Sequence, residues 1–359
     1  MTAIDLDRAI SDVLVLDTVP GGVDHLTQEL RELAADRAQV VQRGRDFVVV
    51  RYAGPLRDLV RGRTYSSCSV AIPAGGSEDG RAGESGARQA GGSGDWLATV
   101  LDRLDESLHS GALSALVPSE PPLRFRVGSI GPDRWQLRDA LVGHYGWANE
   151  PGNWDINLDI RAGLLRAEIG PLFLTRRFGE LARMSASTTP VIAGIMCRLA
   201  KLHAGDVVLD PMCGAGTLLV VAAGSANLVA VIGCDISQRA VRDAAANLAR
   251  RGVAGTVLRA DAGQLPLPAG SVDRVLTNLP FGKRVGSHDN NVELYPRVLR
   301  ELTRVLTRQG RAVLLTEDKT VFRQSVQRTP NLHIVRELVL ESGGAHPTAF
   351  VLARTRGRR

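Results

Sequence analysis

Residues 185–359 alternate between short runs rich in Val, Ile and Leu and longer stretches whose apolar side chains recur at helical spacing. The runs fall at 207–210, 229–235, 256–261, 272–279 and 311–316. Helical periodicity fills 190–202, 217–223, 237–251, 292–306 and 319–327, with Ser237 as an N-cap and Gly310 as the stop of the fourth helix. A buried strand followed by a helical crossover returns as a parallel neighbour, and such connections are right-handed. The pattern predicts a Rossmann-like, doubly wound α/β sheet. Runs at 332–340 and 349–353 have no helix between them, so they are expected to close the sheet as an edge hairpin.

Folds of this kind bind ligands beyond the C-terminal ends of their strands, and polar residues collect there. The first run ends in Asp210-Pro211-Met212-Cys213-Gly214-Ala215-Gly216-Thr217. Gly214 and Gly216 allow close backbone approach, and the following helix offers amide groups at its N-terminus. A dinucleotide loop needs a third glycine where this chain has Leu219, which disfavours a nicotinamide cofactor. An acid followed by G-x-G instead suits S-adenosylmethionine, whose amino-acid end carries an ammonium as well as a carboxylate. Asp235 ends the second run, about twenty residues on, where an acid accepts from ribose hydroxyls. Asp261 ends the third and is expected to accept from the adenine amino group, with the Ala262 amide donating. Met212, Cys213, Thr217, Ile236 and Asn278 complete the expected cofactor set.

The fourth run ends in Asn278-Leu279-Pro280-Phe281. An Asn side-chain carbonyl and the Leu279 backbone carbonyl can each accept one hydrogen of a planar amine. Pro280 fixes φ and removes a competing donor, and Phe281 can stack on a base. Such a grip turns a conjugated amine lone pair toward a sulfonium methyl without a strong base. Together these strand ends predict a methyltransferase acting on an exocyclic amine of a nucleobase. No metal is called for.

The first half has a different texture. Residues 1–72 read as an α+β, ferredoxin-like domain, and 73–94 as a flexible Gly/Ser-rich linker. Residues 95–184 open with an amphipathic helix and continue with strands at 123–127, 156–160 and 164–169. Of the 44 basic residues only Lys201, Lys283 and Lys319 are lysine, and the net charge is +6. Arginine suits bidentate phosphate contact, so Arg124, Arg126, Arg176 and Arg177 are candidate RNA contacts, as are Lys283 and Arg284 after the amine-gripping loop. Cys68, Cys197, Cys213 and Cys234 form neither a C-x-x-C pair nor a zinc-ligand spacing with histidine, and reduced thiols are expected. No run of about 18 apolar residues is present and the first residues are acidic, so a cytoplasmic protein without a membrane span is expected.

The stretches 210–217 and 277–286, continued by Leu294-Tyr295-Pro296 and 310–318, resemble the THUMP-domain tRNA (guanine-N2)-methyltransferases. The likeness covers most of the second half, and the order of segments before it is similar: ferredoxin-like, then THUMP-like at 95–184. Where many relatives carry Asn-Pro-Pro, this chain has Asn278-Leu279-Pro280; the grip survives because the working carbonyl is backbone. The resemblance implies a class I methyltransferase that modifies guanine N2 in the tRNA acceptor stem, near position 6, with a THUMP-like region binding the tRNA end. A stem base must be flipped out to react, with Phe281 as its stacking partner. Eukaryotic relatives use a small activating partner protein, which stays open here; a monomer is expected. Two other readings also stay open on the residues: an amino methyltransferase acting on rRNA or on adenine or guanine of DNA, and a non-catalytic RNA-binding protein with a degenerate methyltransferase domain.

Overall fold

The computed structural model describes residues 4–72, 95–117, 122–128, 130–161, 164–182, 184, 187–281 and 288–355. Two compact units form: Met1–Thr18 with Leu26–Arg177, and Val19–His25 with Phe178–Arg359.

In the first unit, β1 (Ala9–Asp17) leads to α1 (Val23–Ala34), followed by β2 (Ala38–Arg43), β3 (Phe47–Pro55), a single turn α2 (Arg57–Val60) and β4 (Ser67–Ile72). After residue 94 come α3 (Asp95–His109), β5 (Arg124–Val127), α4 (Arg134–Tyr145), β6 (Ala148–Asn149), β7 (Ile156–Arg161), β8 (Leu164–Ile169) and α5 (Leu174–Phe178). The strands of the expected 1–72 and 95–184 segments do not form separate sheets. All eight strands join one sheet, in the order β2-β3-β1-β4-β8-β7-β5-β6. The seam is β4 against β8, antiparallel, with Val70 opposite Ala167 and Ile72 opposite Leu165.

Strand β4 reads Ser-Cys-Ser-Val and carries no alternation, because both its faces are covered and Ser67, Cys68, Ser69 and Val70 are all buried. Buried Asp12 on β1 adds a second tie, to residues 103–112. It accepts from Ser107 Oγ at 2.6 Å and the Ala112 amide at 2.8 Å, and pairs with Arg103. The expected linker at 73–94 lies outside the described residues.

The second unit follows the predicted alternation: α6 (Pro190–Ala200), β9 (Val207–Asp210), α7 (Thr217–Ala223), β10 (Ala230–Asp235), α8 (Gln238–Arg250), β11 (Thr256–Arg259), β12 (Val272–Asn278), α9 (His288–Val305), β13 (Leu306–Thr316), α10 (Lys319–Gln327), β14 (Leu332–Val339) and β15 (Thr348–Arg354). The sheet order is β11-β10-β9-β12-β13-β15-β14, with every strand running the same way except β15, which lies antiparallel between β13 and β14 and forms the edge hairpin with β14. Ser237 caps α8 by accepting from the Ala240 amide at 3.3 Å.

Gly310 does not stop α9. The helix ends at Val305, and Gly310 lies inside β13, where the register against β12 shifts between Val272 and Arg274. A Cβ there would stand 2.8 Å from Leu306 Cδ2 and 2.9 Å from the Thr307 carbonyl. That crowding makes it a bulge glycine. The core on one face of this sheet includes Leu209, Val275, Leu279, Tyr295, Leu299, Leu314, Phe322 and Phe350.

Candidate active site

The chain leaves β9 toward β10 and β11 on one side and then crosses to β12 and β13 on the other. Doubly wound sheets open a crevice where the strand order reverses, and this reversal lies between β9 and β12. Asp210 ends β9, Asp235 ends the neighbour β10, and Asn278 ends β12. The register places Gly233 opposite Asp210 and Val275 opposite Leu209. Asp235 and Asn278 therefore each project two residues beyond the level of Asp210, on either side of it.

The glycine loop is shaped as expected. Gly214 and Gly216 adopt φ of +50° and +79°. A Cβ on Gly216 would meet Ala244 Cβ at 3.0 Å, whereas one on Gly214 would enter open space. Gly216 permits close helix packing and Gly214 leaves room for a ligand. Asp235 holds the loop: its Oδ2 accepts from the Gly214 amide at 2.9 Å and its Oδ1 from the Ser237 amide at 2.9 Å. A carboxylate has about four acceptor positions, so capacity remains for ribose hydroxyls. Ile236, beside it, is 68% exposed and offers an apolar surface at the crevice. Met212 and Thr217 line the same loop, half-buried and buried.

Asp210 is buried, with Oδ1 accepting from the Met212 amide at 3.1 Å. Burial pushes its carboxyl up to about 7; the Thr277 hydroxyl and the Met212 amide pull it down, and Asp235 nearby adds to the rise. Burial also pushes the Cys213 thiol far up and the Cys234 thiol up to about 11. Neither thiol is a nucleophile at neutral pH.

Asp261 departs from expectation. Strand β11 ends at Arg259, so Asp261 lies in the following turn rather than at a strand end. Its Oδ1 accepts from the Gly263 amide at 2.8 Å and its Oδ2 from Arg297 at 2.6 Å. The amide first and then the guanidinium hold its carboxyl below the usual range. Ala262 is buried in the core.

In the 278–281 stretch, Leu279 is 2% exposed and its amide donates to the Leu315 carbonyl at 2.9 Å, a bond proline could not make. Pro280 is half-buried, and its carbonyl accepts from the Tyr295 hydroxyl at 2.6 Å. Phe281 is half-buried. Lys283 and Arg284 lie outside the described residues.

Three of the four N-terminal arginines serve their own unit. Arg124 clasps Asp155 at 2.9 and 2.6 Å. Arg126 donates to Asn157 Oδ1 at 2.9 Å and lies over the Trp154 ring at 5.0 Å. Arg177 is buried, donates to the carbonyls of Leu172, Gly62 and Tyr65, and stacks on Tyr65 at 3.7 Å. A buried guanidinium cannot meet a phosphate, which corrects the expectation for Arg177. Arg176 keeps an exposed side chain, with bonds to Asn153 Oδ1 at 3.0 Å and the Trp154 carbonyl at 3.4 Å.

Some residues carried no expected role. Asn247 is fully buried on the apolar stripe of α8, bonding the Ala215 carbonyl at 2.8 Å and both backbone groups of Ala182, at 2.9 and 3.0 Å. It braces the glycine loop, and its signal is an amide in line with Ala240 and Ala244 at helical spacing. On α4, Trp135 is 59% exposed, with Arg138 and Arg134 over its ring at 4.6 and 5.7 Å. A Trp with Arg one residue before and three after, in Arg134-Trp135-Gln136-Leu137-Arg138, is the readable signal there.

The sheet order, the glycine turn and the polar strand ends define a class I methyltransferase fold. Residues 179–347 match the family model described as RMKL-like, methyltransferase domain. The human tRNA (guanine(6)-N(2))-methyltransferase THUMP3 is 38% identical over 299 residues, 73% of this chain and 56% of the human protein. The Thermus thermophilus tRNA (guanine(6)-N2)-methyltransferase is 32% identical over 203 residues, 55% of this chain and 60% of its own. The chain thus spans little over half the length of these curated relatives. The crystal structure of TrmN from Thermus thermophilus superposes with a TM-score of 0.69 at 25% identity, covering 96% of this chain and 99% of that one. Among the described residues, no helix is long and apolar enough to cross a membrane, and no group of three or more His, Cys, Asp or Glu is disposed to hold a metal ion.

Proposed function

We propose that this chain transfers a methyl group from S-adenosylmethionine to the exocyclic N2 of a guanosine in tRNA, at or near position 6 of the acceptor stem, in the cytoplasm. The observation that carries the reading is the juxtaposition at the switch point. An amide side chain and a proline-stiffened carbonyl end β12, beside two acids and a positive-φ glycine turn that end β9 and β10. The names of the human and Thermus relatives support guanine N2 of tRNA over other amines.

Asp210, Met212, Cys213, Gly214, Gly216, Thr217, Asp235, Ile236 and Ala262 would hold the cofactor, and the open space at Gly214 fits a close-lying ligand. Bound S-adenosylmethionine would supply the methyl group, its sulfur keeping the electron pair of the broken bond, and the methylated guanine N2 would release one proton to solvent. Asn278 Oδ1 and the Leu279 carbonyl accept the two amine hydrogens and aim the lone pair. That is catalysis by orientation rather than by a base. Phe281 stacks on the flipped guanine. Asp261, tied to Arg297, serves the adenine end through the turn it stiffens. In the first unit, Arg176 and the Trp135 surface with Arg134 and Arg138 are the RNA-facing groups; Lys283 and Arg284 are proposed for the same role.

The test is methylation of total tRNA with labelled cofactor, followed by nucleoside mass spectrometry. N2-methylguanosine is expected, mapping to position 6. A different methylated nucleoside, or none, overturns the reading.

A further inference from the structure

Beneath the 278–281 loop lies a buried polar relay. Tyr295, from α9, is fully buried, as is Thr316 at the end of β13. The Tyr295 hydroxyl lies 2.6 Å from the Pro280 carbonyl and 2.8 Å from Thr316 Oγ1, and the Asp318 amide donates to that Oγ1 at 3.0 Å. The direction of this chain follows from the groups themselves. A carbonyl only accepts, so Tyr295 donates its one proton to Pro280. Thr316 must then donate to the Tyr295 oxygen, while accepting from Asp318. Every link points toward Pro280, and such aligned chains strengthen one another in a buried setting. The Tyr295 ring is held edge-on to Phe322 at 5.8 Å.

On the other side of the same loop, the Leu279 amide is bonded to Leu315 and its side chain is packed in the core. The Leu279 carbonyl therefore lies between two fixed points, with the intervening proline φ locked.

We infer that Tyr295 is a positioning residue for the amine-gripping loop: by pinning the Pro280 carbonyl it fixes the direction of the Leu279 carbonyl that receives the substrate amine. The inference rests on the proposed function for its catalytic consequence but not for the clamp itself. Burial drives the Tyr295 hydroxyl far above its ordinary value, so it remains a donor at any working pH.

The test is Tyr295→Phe, which keeps the ring and removes one oxygen. Turnover on tRNA is expected to fall about 10- to 100-fold, the scale of a small misplacement of a reacting group. KM for tRNA and the calorimetric Kd for S-adenosylhomocysteine should each change less than twofold. Amide exchange of the peptide spanning 276–281 should accelerate. Thr316→Val, which leaves the Tyr295–Pro280 bond in place, should lose less turnover.

Turnover of Tyr295→Phe within twofold of wild type, unchanged exchange at 276–281, an equal loss of cofactor affinity, or a larger loss from Thr316→Val each overturns the clamp. A wild-type protein that makes no N2-methylguanosine overturns the functional reading instead, and the exchange measurement then decides the clamp alone.

Discussion

The two sheets spend their polar residues in opposite ways. In the first unit, charged side chains on strand faces turn inward to one another: Arg166 pairs with Asp17 at 2.5 Å, Glu168 with Arg161 at 2.7 Å, and Arg124 with Asp155 at 2.6 Å. In the second, Asp210, Asp235 and Asn278 stand at the ends of adjacent parallel strands, where the ladder stops and the loops part. A polar group on a covered face must find a partner within the protein or bear the cost of desolvation. One at the C-terminal end of a parallel strand can keep acceptor capacity for a ligand. Position in the sheet, more than residue type, separates the two kinds of polarity here.

The largest expected effect tests the functional side of that contrast. Asn278→Ala should lower turnover about 100- to 1,000-fold, the range for losing one preorganised polar group at a reacting centre. The Kd for S-adenosylmethionine, measured by calorimetry, should stay within threefold. A near-normal rate would move Asn278 to the structural side.

Second comes the structural side. Arg177→Ala should destabilise the first unit by about 3 kcal/mol, because three backbone carbonyls lose a buried charged donor and the Tyr65 ring loses its stacked guanidinium. Differential scanning calorimetry should show one transition lowered and the other unmoved. An unchanged melting profile with weakened tRNA binding would restore Arg177 as an RNA contact.

Third is a pH effect from one carboxyl, with two signs. Burial raises Asp210 from its ordinary value of 3.8 to about 7 in the folded protein. The folded state binds the extra proton, so this group's stabilising contribution is full below about pH 4 and is lost as pH rises through about 7. A ligand bearing an ammonium prefers the ionised form, so its affinity should rise over the upper part of the same range, by up to about tenfold per pH unit below 7. Asp210→Asn should flatten both profiles. Parallel rather than opposed trends in wild type would show that Asp210 does not meet the cationic end of the ligand.

The difference between the units also explains what the sequence disclosed. The parallel sheet was legible because strand and helix periods alternate, and its candidate site because Asp210, Gly214, Gly216, Asp235 and Asn278 fall at the run ends. Three things were hidden. Strand β4 has small polar residues on two covered faces, so no alternation marks it. Gly310 looks like a helix stop but serves a bulge whose crowding depends on Leu306 and Thr307 in three dimensions. Tyr295 stood in a recognisable Leu-Tyr-Pro stretch, yet its partners Pro280 and Thr316 lie 15 and 21 residues away along the chain. Local spacing cannot report such pairings. Arg177 failed for the same reason, since its acceptors at Gly62 and Tyr65 lie more than a hundred residues upstream.

The smallest expected effect falls where the comparison is closest to breaking, at Arg176. It neighbours Arg177 in the chain but points outward, and its bonds to Asn153 and Trp154 leave the guanidinium exposed. An exposed arginine contributes little to stability, so Arg176→Ala should leave both melting transitions within about a degree. A single phosphate contact carries sequence-independent affinity that weakens with salt. The variant should therefore bind tRNA a few-fold more weakly at low salt, with a slope of log affinity against log salt shallower by about one unit. Turnover at saturating tRNA should not change, because a phosphate contact contributes affinity rather than chemistry. A salt slope identical to wild type would place Arg176 with its neighbours as scaffold, leaving the Trp135 surface as the RNA-facing group of the first unit.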